Sequence, residues 1–317
     1  MLIEKQQLIE NNYLVPTYYY PNARSAMKDL FQGLMSQSGI STVFLPAYIG
    51  ISPKEGSGIY DPVQELNSLT VKFYQLTSKL EIDTAHVTKL IKEQGEPFIF
   101  LRVNYFGFVD PQAEQIYDLV KQSGGWLIED NAHSFFTHFR QDFHYSDAAF
   151  FSLHKQFPFP DGGMLCIYNR EIKNNCLHGT TQPAPKRNPW AYDFASISAK
   201  RRKNYLTLQE LSSTFCEHWV PVKDLTDIRT VPQTFPIFLT YSDRFQVYLE
   251  MNEKGYGVTS LYHTLIPQLY NMGFNHSEQI SSCILNLPVH QDVSYDNYCV
   301  MLHELEVACK RHPASES

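Results

Sequence analysis

The segment Gly124-Gly125-Trp126-Leu127-Ile128-Glu129-Asp130 gives the clearest indication of the fold class of this chain. Two glycines end the amphipathic stretch 111–122, and a short apolar run then leads into two carboxylates. A helix followed by a buried strand is the repeating unit of α/β proteins, in which helices cover a parallel sheet. Ligands bind beyond the carboxyl ends of such strands. Asp130 is therefore predicted to lie at a binding site.

The same alternation extends to both sides of this segment. Apolar residues recur at helical spacing from Arg24, and Asn22 or Ser25 can cap that helix. The predicted strands are 41–45, 97–106, 126–129, 148–153 and 163–168, and the predicted helices start at 24 or span 84–92, 111–122 and 201–215. We therefore predict a three-layer αβα domain with a mainly parallel sheet and a small α+β C-terminal domain. The predicted divisions are an N-terminal arm (1–20), a large domain (21–220) and a small domain (221–317).

Composition and charge exclude several classes of partner. The chain has 317 residues, of which 43% are hydrophobic and 19% charged, and its net charge of -7 repels nucleic acid phosphates. The six cysteines form no C-x-x-C pair, which favours reduced thiols in a cytosolic protein. The first residues combine an acid with no long apolar stretch. We expect a cytoplasmic protein without nucleic acid or membrane partners.

A second motif, Phe151-Ser152-Leu153-His154-Lys155, follows the next predicted strand and supplies an amine and a hydroxyl. A lysine can hold an aldehyde cofactor as a Schiff base, a serine can bind its phosphate, and a strand-end carboxylate can keep its ring nitrogen protonated. Burial among phenylalanines would lower the pKa of the Lys155 amine. These residues predict a pyridoxal 5′-phosphate site with Lys155 as the Schiff-base lysine and Asp130 as the partner of the ring nitrogen. The alternatives are a surface lysine and a helix-capping aspartate.

Further residues are predicted to contact the cofactor. The helix start at Asn22-Ala23-Arg24-Ser25 offers N–H groups, a hydroxyl and a guanidinium to the phosphate, or it is an ordinary capped helix. His133 is predicted to bond the phenolic oxygen or lie against the ring, with packing on Phe135 and Phe136 as the alternative. Tyr48 can stack on the ring. The predicted catalytic residues are Lys155, Asp130 and His133, and the predicted cofactor contacts are Asn22, Arg24, Ser25, Tyr48, Asp130, His133, Ser152 and Lys155.

Metal and nicotinamide sites are disfavoured. His133, His138 and His144 do not share one helical face, and no carboxylate or thiol pattern completes a metal site. No G-x-G-x-x-G motif follows a strand. We therefore predict no bound metal.

Several motifs resemble the sugar aminotransferases of the DegT/DnrJ/EryC1/StrS family, over about residues 20–310. They are Asn104-Tyr105-Phe106-Gly107, Ile128-Glu129-Asp130-Asn131-Ala132-His133, the stretch from Ser146 to Ser152, Asp161-Gly162-Gly163, Tyr262-His263 and Leu287-Pro288-Val289-His290-Gln291-Asp292. The resemblance implies a fold-type-I pyridoxal-phosphate enzyme that transfers an amino group from glutamate or glutamine to a keto sugar nucleotide. It also implies a homodimer with active sites at the subunit interface. On this mapping Lys155 forms the internal aldimine, Ser152 and Ser25 contact the phosphate, and His133 stands where most members have glutamine.

The chain departs from the family pattern in ways that open two other functions. The usual Ser-Phe-His-x-x-Lys is compressed to Ser152-Leu153-His154-Lys155, and relatives with histidine at the lysine position are sugar dehydratases. A pyridoxal-phosphate dehydratase that uses His154 is therefore a second prediction. The N-terminal segment is shorter than in typical members, which makes a non-catalytic cofactor-binding or scaffold homologue a third. Tyr192-Asp193-Phe194 is the nearest counterpart of the family's partner-subunit loop, which stays unassigned.

Overall fold

The computed structural model describes residues 15–52, 58–173, 176–214 and 217–314, so most of the predicted N-terminal arm lies outside it. In these ranges the strands are β1 (Thr17–Tyr20), β2 (Thr42–Pro46), β3 (Thr70–Tyr74), β4 (Phe98–Val103), β5 (Trp126–Asp130), β6 (Ala148–Ser152), β7 (Gly163–Ile167), β8 (Trp219–Pro221), β9 (Thr234–Leu239) and β10 (Ile284–Pro288). The helices are α1 (Ala23–Ser38), α2 (Tyr60–Glu65), α3 (Thr84–Lys92), α4 (Ala113–Gln122), α5 (Phe135–His138), α6 (Phe194–Ser212), α7 (Arg244–Glu253), α8 (Asn275–Cys283) and α9 (Tyr295–Arg311).

The larger sheet has the order β1-β7-β6-β5-β4-β2-β3 in the described part of the chain. Strands β3, β2, β4, β5 and β6 are parallel. At one edge β7 pairs antiparallel with β6, and β1 pairs antiparallel with β7. Helix α1 packs against β6 and β7, α4 against β5, and α3 against β3. The predicted α/β class with a mainly parallel sheet is confirmed.

The aromatic run Tyr18-Tyr19-Tyr20 forms an edge strand, although the sequence predicts an irregular arm there. It pairs with β7, and the Tyr19 N–H also donates to the Thr180 carbonyl at 2.7 Å. Aromatic side chains suit a half-buried sheet surface, and these three are each half-buried. The edge strand carries the chain directly into Asn22 and the start of α1.

A smaller antiparallel sheet, ordered β10-β9-β8, lies with α6, α7 and α9 around a second core. Tyr205 and Leu208 of α6 belong to this core together with Trp219. Helix α6 begins at Phe194 rather than at Arg201 because the Asp193 side chain accepts the Ser196 N–H and caps it there. The predicted division near residue 220 stays a prediction.

The predicted strand 97–106 is wrong at its carboxyl end, because β4 stops at Val103 and a 3-10 turn, Tyr105–Gly107, follows. Gly107 has φ +97°, and a Cβ there would lie 2.6 Å from the Val231 carbonyl oxygen. Only glycine fits at position 107 of this turn. The turn lies next to the carboxyl ends of β4 and β5.

Three further observations concern the described ranges. None of their helices is both long and apolar enough to cross a bilayer. No disulfide links their cysteines. No group of three His, Cys, Asp or Glu side chains in them is arranged to hold a metal ion.

Candidate active site

A cavity of 270 Å³ opens at the carboxyl ends of β4, β5 and β6, where a ligand is expected in such a sheet. Its walls include Val103, Asp130 and Ser152, the last residues of these three strands. The predicted cofactor residues that line it are Asn22, Arg24, Asp130, His133, Ser152 and Lys155. Residues far apart in the sequence thus meet at one edge of the sheet.

Asp130 is a buried carboxyl group with little compensation for its charge. Its Oδ1 accepts the Ala132 N–H at 2.8 Å. Burial raises its pKa to about 6, although the Ala132 N–H and the Lys155 charge act in the opposite direction. The alternative of a helix cap does not hold, since α5 begins only at Phe135 and Ser134 is its N-cap residue. A cation placed in the cavity would stabilise the carboxylate.

Lys155 lies in the short 3-10 turn Leu153–Lys155 that follows β6, and its side chain faces His133. The Lys155 Nζ lies 3.2 Å from the His133 Nε2. Burial lowers the pKa of the Lys155 amine, whereas the Asp130 carboxylate acts to raise it. The free amine is therefore more populated than it is for an exposed lysine.

His133 is buried and packs on the turn after β4, not on Phe135 and Phe136. Its ring is stacked on that of Phe106, with centroids 6.0 Å apart and 12° between the planes. The Phe106 N–H donates to its Nδ1, with 3.4 Å between the nitrogens. Burial and the nearby Lys155 charge both hold the pKa of His133 well below its usual range. The imidazole is therefore neutral.

The amino end of α1 forms another wall of the cavity through Asn22, Ala23 and Arg24. The first N–H groups of a helix have no acceptor within it, and they carry a positive partial charge that suits an anion. The Arg24 Nη1 lies 2.8 Å from the Asp61 Oδ2. The Ser152 Oγ lies 3.2 Å from the His154 Nδ1. This end of the cavity can bind a phosphate.

Ser25 serves the cap of α1 instead of the cavity. The Asn22 Oδ1 accepts both its N–H at 2.9 Å and its hydroxyl at 3.1 Å. Ser25 is not among the described residues that line the cavity. The proposed phosphate contact thus falls to Ser152 and the helix start.

The absence of a side chain at Gly163 lets the amino end of α1 pack directly on β7. A Cβ at this position would lie 2.2 Å from the Asn22 carbonyl oxygen and 2.7 Å from the Ala23 nitrogen. No real Cβ tolerates such distances, so a larger residue would displace the amino end of α1. Gly163, the last residue of the motif Asp161-Gly162-Gly163, therefore shapes the end of the cavity at the start of α1.

Tyr48 lies outside the cavity lining, and Tyr262 takes part in the lining instead. Tyr48 is fully buried, and its hydroxyl accepts the Tyr262 N–H at 2.6 Å and donates to the Leu261 carbonyl at 3.0 Å. Its ring packs edge-on against Tyr105 at 5.6 Å. The motif Tyr262-His263 was a signal for this region, but the sequence did not assign it to the site.

Glu129, which precedes Asp130, lies in a dense network to which the sequence assigned no role. Arg102 forms an ion pair with its Oε1, and Asn104 donates to the same oxygen at 3.1 Å. Asn131 and Ser146 donate to Oε2 at 3.3 and 3.1 Å. Burial alone would raise the pKa of Glu129, but Arg102 and His138 hold it well below its usual range.

In the segment Tyr192-Asp193-Phe194, the two aromatic residues are partly buried against an aromatic core of their own chain, and Asp193 is exposed. The Tyr192 ring packs on Phe157 at 4.9 Å, and Asp193 caps α6. Its comparison with the family's partner-subunit loop stays a prediction.

Comparison with known proteins gives one family match. Residues 61–189 match the model of the DegT/DnrJ/EryC1/StrS aminotransferase family, which confirms the resemblance predicted from the motifs in this part of the chain. Among curated proteins, a serine hydroxymethyltransferase from Pyrobaculum islandicum is 26% identical over 189 residues. That match covers 53% of this chain and spans 41% of the relative's length.

Two solved structures illustrate the likeness in fold. A DegT DnrJ EryC1 StrS aminotransferase from Brucella abortus is 15% identical, with a TM-score of 0.72, over 92% of this chain and 86% of that one. The PLP-form of the putative sugar aminotransferase Spr1654 from Streptococcus pneumoniae is 15% identical, with a TM-score of 0.69, over 94% of this chain and 88% of that one. The architecture is thus that of known aminotransferases along most of the chain.

Proposed function

We propose that this chain, whose residues 61–189 carry the sequence pattern of the DegT/DnrJ/EryC1/StrS aminotransferase family, is an aminotransferase that depends on pyridoxal 5′-phosphate. One observation carries the proposal: a single cavity contains the amine of Lys155, the carboxyl of Asp130 and the amino end of α1. The amine would bind the aldehyde of the cofactor, the carboxyl its ring nitrogen, and the helix start its phosphate.

The residues present fit this cofactor in charge as well as in type. Asp130 is a buried carboxyl whose pKa is raised to about 6. A protonated ring nitrogen would provide a cationic partner that stabilises its carboxylate form. Burial lowers the pKa of Lys155, which favours the nucleophilic form of the amine. Arg24 and the N–H groups at the start of α1 suit a phosphate dianion.

Each residue would have a defined task in transamination. When bound, the cofactor supplies an electron sink for the charge left on a substrate carbon that loses its proton. Asp130 would hold the proton on the ring nitrogen. Lys155 would bind the cofactor covalently at rest and, once an amino donor displaces it, move the proton at the substrate α-carbon. The buried His133 would bond the phenolic oxygen.

The proposed acceptor is a keto sugar nucleotide, and the proposed donor is glutamate or glutamine. The family match and the likeness to a putative sugar aminotransferase support this substrate class. We also propose a homodimer with active sites at the subunit interface, which sedimentation of the purified protein would test.

Covalent capture of the cofactor tests the proposal. The purified protein is incubated with pyridoxal 5′-phosphate, reduced with borohydride and digested, and the peptides are analysed by mass spectrometry. We expect a visible absorbance band that borohydride removes, and a phosphopyridoxyl group on the peptide that contains Lys155. Glutamate and a panel of keto sugar nucleotides should then yield amino sugars.

A Lys155→Ala variant should lose both the label and the turnover. Lys89→Ala, which removes an exposed lysine from α3, is the matched control and should keep both. The proposal would be wrong if the label were found on another lysine or if Lys155→Ala kept full turnover.

A sugar dehydratase is the second candidate, because His154 also lines the cavity. His154 contacts Ser152, whereas Lys155 contacts His133, and this supports Lys155 as the cofactor-binding residue. His154→Ala should therefore keep the borohydride-stable label and amino transfer. Loss of a dehydrated product in that variant, with no amino sugar formed by the wild type, would instead favour the dehydratase.

A further inference from the structure

The turn Tyr105–Gly107 presents both a ring and an amide to His133. Phe106 has φ 58° and ψ 16°, the left-handed conformation that a bulky residue rarely adopts. This conformation accompanies the ring stacking on His133 and the N–H donated to its Nδ1. Strained backbone of this kind persists where the surroundings impose it, often at functional sites.

The turn is also held from its other side. The Phe106 carbonyl accepts the Gln233 N–H at 2.8 Å, and the Gly107 carbonyl accepts the Thr137 hydroxyl at 2.6 Å. The Gly107 backbone is packed so closely on Val231 that no Cβ fits. The Phe106 amide therefore has little freedom to turn away from the imidazole.

This arrangement selects one tautomer of His133. A neutral imidazole has one N–H and one lone pair. Because Nδ1 accepts the Phe106 N–H, the proton of the ring belongs on Nε2. The Nε2 lies 3.2 Å from the Lys155 Nζ, and an N–H directed at this nitrogen requires a lone pair on it. Only the uncharged amine of Lys155 offers one.

The opposite arrangement is disfavoured. A Lys155 ammonium would donate to Nε2, which would place the ring proton on Nδ1, against the Phe106 N–H. That buried amide would then lose its acceptor, and unpaired buried donors are costly. Among the described residues, three titratable groups interact electrostatically with Lys155. The Asp130 charge favours the ammonium, and the other two groups are His133 and the neighbouring His154.

We propose that the turn at Phe106 holds His133 in the Nε2–H tautomer, and that His133 thereby keeps Lys155 as an uncharged amine before the cofactor binds. His133 is in this sense a positioning residue for the nucleophile. The inference rests on the proposed function for its purpose, since the free amine is the form that attacks an aldehyde.

The test uses the cofactor-free protein with ¹⁵N-labelled histidine and ¹³Cε-labelled lysine. Magnetic resonance reports the tautomer of His133 and the pKa of Lys155, with signals assigned from His133→Gln and Lys155→Arg. We expect the proton on Nε2 in the wild type. In His133→Gln the side-chain amide of the glutamine can rotate and offer its oxygen to a Lys155 ammonium. The pKa of Lys155 should therefore rise by about one to two units.

His154→Gln is the matched control, because it makes the same change on the cavity wall next to Lys155 but does not touch the turn. It should leave the pKa of Lys155 unchanged. A proton on Nδ1 in the wild type would overturn the inference, as would an equal rise in both variants or no rise in His133→Gln. If His133→Gln does not fold, His133→Asn assigns the same signal, and the tautomer read in the wild type still decides the inference.

These outcomes are separable from those of the proposed function. If the tautomer is found but borohydride attaches no cofactor to Lys155, the proposed function fails and the inferred geometry stands. If the cofactor is attached to Lys155 while the ring proton is on Nδ1, only the inference fails.

Discussion

Glu129 and Asp130 are consecutive carboxylates at the end of one buried strand, yet their surroundings differ in nearly every respect. Glu129 accepts from Arg102, Asn104, Asn131 and Ser146, and its pKa lies well below the usual range. Asp130 accepts one backbone N–H and lines the cavity, and burial raises its pKa to about 6. Successive side chains of a strand point to opposite faces, so one carboxylate meets the network and the other the cavity.

The difference separates a carboxylate that is bonded within the fold from one that is available to a ligand. A buried carboxylate with a full set of donors stabilises the fold only while its partners remain. A buried carboxylate with one donor destabilises the protein without a ligand and is available to a cationic group.

Removal of the Glu129 charge should have the largest effect. In Glu129→Gln the buried Arg102 loses its counter-charge, and breaking a buried pair in this way costs about 3–5 kcal/mol of unfolding free energy. Urea unfolding of the cofactor-free protein at pH 7.5 measures it. A loss below about 1 kcal/mol would mean that the neutral donors alone support this network.

Removal of the Asp130 charge should affect activity and spare the fold. Asp130→Asn should slow amino transfer from glutamate to the cofactor by about 10²–10³-fold, the usual loss for one electrostatic contact at a reacting centre. Its unfolding free energy at pH 7.5 should stay equal or rise, because the uncompensated charge is gone. Full activity in this variant, followed by the absorbance of the bound cofactor, would remove the functional half of the comparison.

The pH dependence of stability should have opposite signs for the two carboxylates. The pKa of Asp130 rises from 3.8 to about 6 on folding, so the folded state binds its proton more tightly. The unfolding free energy of the cofactor-free protein should therefore fall by about 3 kcal/mol as pH increases from about 4 to 6, because the folded state loses this proton.

Glu129, whose pKa is lowered, contributes stability above its unfolded pKa of 4.5 that is lost as pH falls further. Comparing the unfolding curves of Asp130→Asn and wild type between pH 4 and 7 isolates the Asp130 part. Parallel curves would contradict the raised pKa.

Loss of one neutral donor to Glu129 should have the smallest effect. Ser146→Ala removes the hydroxyl that donates to Oε2 at 3.1 Å and leaves the Arg102 pair intact. We expect a loss of about 1 kcal/mol in unfolding free energy with cofactor binding unchanged. A loss as large as that of Glu129→Gln, measured in the same urea series, would show that the network fails as a unit.

Much of the fold was predictable because its elements have strong local signals. Helix α3 has the predicted bounds, and β5 and β6 differ from prediction by one residue at the carboxyl end. The irregular turn after β4 was not predictable, since its partners are distant in the sequence: Gly107 packs on residues 231–233, and the Phe106 carbonyl accepts the Gln233 N–H. The edge strand β1 depends likewise on pairing with a segment distant in the sequence.

The candidate site divides in a similar way. Asp130, Ser152 and Lys155 were predictable because each lies at or just after the end of an apolar strand, and parallel strands end at the same edge. Tyr48 and Ser25 are not among the described residues that line the cavity, because their hydroxyl groups bond to the backbone and to Asn22, contacts that spacing does not reveal. The network around Glu129 was missed for the same reason.

The class of fold and the functional groups that reach the edge of the sheet follow from the amino-acid order alone, because hydrophobic periodicity and chain order depend only on neighbouring residues. Folding sets which of two adjacent carboxylates has its hydrogen-bond donors, which tautomer His133 adopts and how near α1 approaches the sheet. Those properties depend on the dielectric surroundings and on hydrogen-bond partners, and both are contributed by residues that meet only when the chain has folded.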